Sequence, residues 1–162
     1  MTTCVVVIPI YNANPKPIEM ASLRRVLTVL NGHIIHLFTY EDLDTTVYKA
    51  VFEECNKSFL VDYFDKSYFS SVKGYNKLCL TPAFYLRYID YDYMLIYQLD
   101  AWVFYDSLQY WCDKNYDYIG APHFYSQEKN VTKEFMGVGN GGFSLRRIKY
   151  CLQILYLSLI HI

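Results

Sequence analysis

The sequence predicts an α/β protein with an open, mostly parallel sheet flanked by helices, and three observations carry that reading. Apolar runs recur without the alternation of a half-wet strand: CVVVIPI at 4–10, IIHLF at 34–38 and YMLIYQL at 93–99. Such runs mark strands buried on both faces, the habit of parallel sheets. Helix-spaced segments separate the first runs through short connections, which gives a strand–helix–strand–helix–strand order and right-handed crossovers. The chain has 162 residues, 53% of them hydrophobic and 19% charged, which excludes disorder and suits one domain with a real core.

Each element follows in order. Cys4–Ile10 is the first strand, and Pro9 marks its exit. Tyr11–Pro17 is a loop of turn formers. Ile18–Leu30 places Met20, Leu23, Leu27 and Leu30 on one helix face, and Asn31-Gly32 stops it. Ile34–Phe38 is the second strand. Asp44 caps a helix that turns Val47, Val51 and Phe52 inward, and Phe59–Phe64 is the third strand. Tyr68–Tyr75 reads as an irregular loop. Asn76–Tyr88 reads as one helix, with Leu78, Phe84 and Leu86 inward and a break at Pro82. Tyr93–Leu99 is a buried strand ending at Asp100. Asp106–Lys114 is a short helix, Tyr116–Gly120 a short strand and Ala121–Phe135 a polar loop. Gly137–Arg147 reads as a glycine-rich turn and then a strand, and Ile148–Leu155 begins a last helix.

In open parallel sheets ligands lie at the carboxyl ends of the strands. Tyr11, Asn12, Thr39, Tyr40, Glu41 and Asp65 fall on that edge. At the end of the 93–99 strand, Gln98 and Asp100 join them, with Trp102 just beyond. A carboxylate there suits a divalent cation on diphosphate oxygens or a ribose hydroxyl, although a lone Asp also caps turns. The string Gly137-Val138-Gly139-Asn140-Gly141-Gly142 has neither the G-x-G-x-x-G order nor a following Lys-Ser/Thr, so it is neither a dinucleotide fingerprint nor a phosphate-binding P-loop. Its glycines would let backbone approach a ligand. The histidines show no metal spacing. His33 reads as a turn residue, His36 as a strand residue, and His123 as part of a loop at the site.

Composition narrows the classes further. A net charge of −1 with no basic block argues against a non-specific nucleic-acid binder. Aromatics reach 19%, with 18 Tyr, which suits core edges and the stacking of sugars or bases. The five cysteines are scattered and none forms a C-x-x-C pair, so neither a disulfide framework nor a zinc site is expected. A reducing, cytoplasmic location is expected instead, and the sequons at Asn56 and Asn130 are then chance matches. No run approaches the ~18 apolar residues of a membrane span, and no signal peptide is expected at the N-terminus.

Three motifs standing in this order resemble the GT-A glycosyltransferases. Ile8-Pro9-Ile10-Tyr11-Asn12 resembles the first-strand P-x-Y-N of family-2 transferases, where the nucleotide base sits. Tyr75–Phe104 resembles the family-8 pattern, in which a helix leads to a strand ending in Leu-Asp-Ala-Asp. Gly-Asn-Gly-Gly-Phe-Ser-Leu-Arg resembles the glycine-rich acceptor-side segment of several such families. The strings YNKLCLTPAFY, YQLDAWVF, WCDKNYDYIGAP and GVGNGGFSLR are also similar to an uncharacterised family of glycosyltransferase-like domains. Asp100 matches the first carboxylate of the family-8 pair, but Trp102 stands at the second, and an indole cannot ligate Mg²⁺ or Mn²⁺.

The resemblance implies transfer of a sugar from a nucleotide-diphospho-sugar to a hydroxyl of a glycan or lipid-linked acceptor. Tyr11, Asn12, Thr39, Lys73, Tyr75, Asn76, Gln98 and Asp100 would hold the donor. Trp102, His123, Asn140, Gly141 and Gly142 would shape the sugar and acceptor pocket. Glu134 would be the base of an inverting enzyme. A Mn²⁺ or Mg²⁺ ion would take Asp100, or Lys and Arg would neutralise the diphosphate. The second reading is a non-catalytic nucleotide- or sugar-binding module. Residues 1–156 are expected to be a partial GT-A-like domain. Residues 157–162 (LSLIHI) are expected to be a non-native read-through tail, because they match a translated transposase mosaic end.

Overall fold

The computed structural model describes residues 2–124 and 135–160, with side chains described for all of these except 123, 124, 136, 140, 159 and 160. The elements run β1 (Cys4–Pro9), α1 (Pro17–Val29), β2 (Ile34–Thr39), α2 (Thr46–Glu54) and β3 (Leu60–Tyr63). A 3-10 turn (Lys66–Phe69), α3 (Val72–Leu78), α4 (Pro82–Leu86) and β4 (Tyr93–Tyr97) come next. The chain continues through α5 (Leu108–Asp113), β5 (Tyr118–Phe124), β6 (Phe135–Arg147) and α6 (Ile148–Ile160). One six-stranded sheet has the order β3-β2-β1-β4-β6-β5. The pairs β3–β2, β2–β1 and β1–β4 are parallel; β4–β6 and β6–β5 are antiparallel. This is the expected α/β class, a Rossmann-like open sheet with helices on both faces.

The pleat divides the core in two. Cys4, Val6 and Ile8 of β1, with Leu95 and Tyr97 of β4, face one side and meet Leu23, Val26 and Leu27 of α1 and Val51 and Phe52 of α2. Val5, Val7, Met94 and Ile96 face the other side and meet Leu78 of α3, Phe84 and Tyr85 of α4 and Ile148 and Leu152 of α6. Every residue of β1 and β4 is buried, as their unbroken apolar runs require. Phe38 centres an aromatic cluster, with ring centroids 5.2 Å from Phe84 and 6.1 Å from Phe64. Burying one such ring contributes roughly 1.5–3 kcal/mol.

Local chemistry sets the helix starts. Pro17 opens α1 with its φ already helical, and Glu19 Oε2 accepts the Lys16 amide at 2.6 Å. Asp44 Oδ1 takes the Thr46 amide at 2.9 Å, ahead of α2.

Several expectations need correction. Val47 is exposed; Tyr48 lies inward instead, sharing one helix face with Val51 and Phe52 at i, i+3 and i+4. Residues 68–75 are not an irregular loop. Asp65 caps the 3-10 turn through the Ser67 amide, and Ser71 caps α3 through the Gly74 amide. The single helix expected at 76–88 is two, because Thr81 and Pro82 stop the first and start the second. Leu86 consequently faces outward. Residues 121–124, expected in a loop, extend β5. The glycine-rich turn expected at 137 onward is absent, since β6 is one strand from Phe135 to Arg147 that pairs along both edges. Of its glycines only Gly137 has φ in the left-handed half of the map, at 148°. Residues 157–160 continue α6.

Candidate functional site

Strand order changes direction between β1 and β4: β1, β2 and β3 step one way, and β4 lies on the other side of β1. Ligands of open α/β sheets settle beyond the carboxyl ends of the strands at such a point. The β1 exit is held first by the Ile10 amide, which bonds to Phe38 O at 3.1 Å, and then by Tyr48, whose hydroxyl donates to Asn12 O at 2.7 Å. Tyr11 is left 60% exposed. Asn12 Oδ1 accepts the Asn14 amide at 2.9 Å, which fixes the carboxamide and leaves its NH₂ free to donate to a ligand.

The β4 exit is a tight turn. Ala101 N bonds to Gln98 O at 2.9 Å, and Gln98 N bonds to Gly142 O at 2.7 Å. Buried Ser22 and Tyr97 both reach Ala101 O, at 2.7 and 2.9 Å, and their own oxygens lie 2.8 Å apart. This network presents exposed Asp100 on the edge. Burial first, and then the carboxylates of Glu19 and Asp100, push the Tyr11 phenol above its ordinary range. β1 and β4 run parallel and side by side, Val7 opposite Ile96, so the two strand exits lie on one edge of the sheet.

From Asp100 the chain runs back across the sheet beside α1. Arg25 secures it, donating to Val103 O at 2.8 Å and to Phe104 O, with its guanidinium 5.9 Å from the Trp102 ring centroid. Between this segment, α5 and the β5–β6 pair lies an open apolar groove of about 410 Å³. Trp102, Phe104 and Trp111 wall it and Leu95, Phe143 and Leu145 floor it. The Trp102 end adjoins the turn at Asp100.

The remaining expected residues divide. Gly142 bonds to Gln98, and Gly141 lies beside Arg146. Tyr75 packs inward, its ring stacked on Phe38 at 6.4 Å and 15°. Burial pushes its phenol up, and its hydroxyl sits beside Gln98 and Cys79 without a hydrogen bond of ordinary geometry. Lys73 and Asn76 lie on the exposed face of α3, and Thr39 is fully buried, its hydroxyl enclosed without a partner. Thr39 thus presents no group to the edge where Asp100 stands, because strand alternation turns its side chain into the core. Glu134 lies outside the described residues, as do the side chains of His123 and Asn140. Among the described residues, no three His, Cys, Asp or Glu side chains come together as a metal set.

A family model described as a protein of unknown function, DUF5672, matches residues 58–159, well over half of the chain. The chain belongs to the DUF5672 family. No curated protein matches it. The DUF5672 match takes in β4, Asp100, the groove and β6, while Tyr11 and Asn12 precede it. Sequence reasoning passed over one residue of the matched region, Arg146. Its signal was available, since Ser144 and Arg146 share the face of β6 that alternation buries.

Proposed function

We propose that this DUF5672 protein binds a nucleotide-diphospho-sugar and transfers the sugar to a hydroxyl acceptor. The observation that carries the reading is the pair of neighbouring, parallel exits of β1 and β4, which leave exposed Tyr11, Asn12 and Asp100 on one edge at the switch point, with an aromatic groove opening beside Asp100. The motif resemblance to GT-A glycosyltransferases supports it independently. Tyr11 offers an exposed ring to a base, and the Asn12 NH₂ a donor to its edge. Asp100 faces the ribose or diphosphate. The groove offers indole and phenyl faces to an acceptor sugar, with Trp102 at the junction of the two subsites. Catalysis would come from holding the donor carbon and acceptor hydroxyl in line and from stabilising the departing diphosphate.

A Mg²⁺ or Mn²⁺ ion on the diphosphate would take one protein ligand here, Asp100, with phosphate oxygens and water completing its shell. The five cysteines are free thiols, and no described helix is long and apolar enough to cross a membrane. The thiols support a cytoplasmic site of action.

The test is turnover. The chain is incubated with UDP-, GDP- and CDP-sugars, with and without Mn²⁺, and released nucleoside diphosphate is measured. Release from one donor, abolished by Asp100→Asn, is expected. Binding without release would favour the second reading, a non-catalytic nucleotide-binding module, which the indole at the second carboxylate position supports.

A further inference from the structure

The guanidinium of Arg146 is a cation surrounded by neutral partners. Its Nη1 donates to Tyr85 Oη at 2.8 Å and its Nε to Ser144 Oγ at 3.1 Å, and its Cζ lies 5.7 Å from the Tyr118 ring centroid. Its Nη2 comes within 3.0 Å of the place where a Cβ on Gly141 would stand. Among the described residues no carboxylate pairs with it: the ion pairs of the neighbouring strands and helices involve Arg147 with Asp117 and Arg87 with Asp62.

Arginine keeps its proton in proteins, so a half-buried guanidinium without an anion is costly. Its neighbours do not require it. Tyr85 Oη donates to Cys79 O at 3.0 Å, and Ser144 Oγ donates to Gly141 O at 3.0 Å. Removing Arg146 would leave neither hydroxyl unpartnered. A second observation points the same way. The Tyr75 hydroxyl is enclosed on the same sheet face, beside Gln98 and Cys79, without a hydrogen bond of ordinary geometry. Gln98 lies two residues ahead of Asp100, and its backbone amide bonds to Gly142 O, next to the Gly141 that Arg146 Nη2 borders. A charge-bearing fork, an enclosed phenolic hydroxyl and a carboxamide therefore share one face of the sheet where β4 and β6 approach the ligand edge.

We infer that Arg146, with Tyr75 and Gln98, forms a site for a phosphate oxyanion. Guanidinium matches phosphate with two parallel N–H donors, and a side chain at position 141 would crowd Nη2. The diphosphate of the donor is the source the location favours, and that part rests on the proposed function. The Arg146 guanidinium would neutralise diphosphate charge in place of a cation that a second carboxylate at position 102 would have held. A phosphate carried by the acceptor has the same chemistry.

The test is calorimetric titration of the whole chain with inorganic pyrophosphate in EDTA, compared across variants. Binding by the wild type is expected, at least tenfold weaker in Arg146→Lys, which keeps the charge and loses the fork, and undetectable in Arg146→Met. Arg146→Met without ligand should melt at or above the wild-type temperature. No pyrophosphate binding, or equal binding by wild type and Arg146→Lys, overturns the site. So does an Arg146→Met chain that melts well below wild type or does not fold, because the guanidinium is then a strut of the core. A nucleoside diphosphate that loses the same factor in Arg146→Lys assigns the site to the donor; one that loses nothing overturns that source. Pyrophosphate binding without sugar turnover keeps the oxyanion site and removes the transferase reading. Turnover indifferent to Arg146→Lys does the reverse.

Discussion

The turn that presents Asp100 hangs on three oxygens. Ser22 Oγ, Tyr97 Oη and Ala101 O lie 2.7–2.9 Å from one another. Two hydroxyl protons serve three contacts, so one contact at a time lacks a hydrogen. Removing either hydroxyl leaves the other free to donate to Ala101 O. Tyr97→Phe and Ser22→Ala should therefore each cost only about 0.5–1 kcal/mol. Removing both strands the carbonyl of a half-buried residue, adding about 1–2 kcal/mol beyond the sum. The assay is urea denaturation of wild type, both single variants and the double variant, with equal slopes required for comparison. In a chain this size 1 kcal/mol corresponds to roughly 2–4 °C of melting temperature, so the excess is measurable. Double-variant loss equal to the sum within about 0.5 kcal/mol would refute the shared-carbonyl argument.

Other outcomes follow from particular contacts. Burial raises the Asp62 carboxyl, but the hydrogen bond from His36 at 2.8 Å, with the Arg87 charge behind it, outweighs burial and holds it below its ordinary value. Its contribution is therefore present above about pH 4 and is lost as pH falls through the native value. The melting-temperature gap between wild type and Asp62→Asn should be open at pH 7 and narrow below pH 4; a gap independent of pH would contradict this. Gly74→Ala should cost about 1–3 kcal/mol, because the new Cβ would stand 2.6 Å from Ser67 O, which is backbone. Gly32→Ala meets nothing within 4 Å and should be neutral or slightly stabilising, and thermal melts of the pair check both. Trp102→Ala should raise the acceptor KM several-fold and leave nucleotide affinity unchanged, as read by parallel kinetics and calorimetry. Loss of nucleotide affinity would place Trp102 on the donor side.

Much of the scaffold was legible because burial on two faces leaves an unmistakable run. CVVVIPI and YMLIYQL could be little else than central strands, and they fixed the edge on which Tyr11 and Asp100 stand. Short helices were less legible. The stretch around α3 holds few apolar residues, and its start depends on the Asp65 and Ser71 caps rather than on periodicity. Glycine was misleading in β6. There, as in β5, it makes room for side chains lying flat against the strands: Arg146 borders Gly141 of β6, and the Tyr118 ring covers Gly120 of β5. Long-range pairing, which no local signal reports, decided that the stretch is a strand. Thr39 shows the same limit within the site, since an edge position does not fix which way a side chain turns.

In the proposed function the edge carrying Tyr11, Asn12 and Asp100 holds a nucleotide diphosphate. Thermal-shift titration with UDP, GDP and CDP, each with and without Mn²⁺, tests it most directly. At 100-fold over its dissociation constant a ligand adds about 2.7 kcal/mol of stability, or roughly 5–10 °C here. Such a shift is expected with one of the three nucleotides, much reduced in Asp100→Asn. A folded chain that shifts with none of them, or shifts equally with Asp100→Asn, would contradict it.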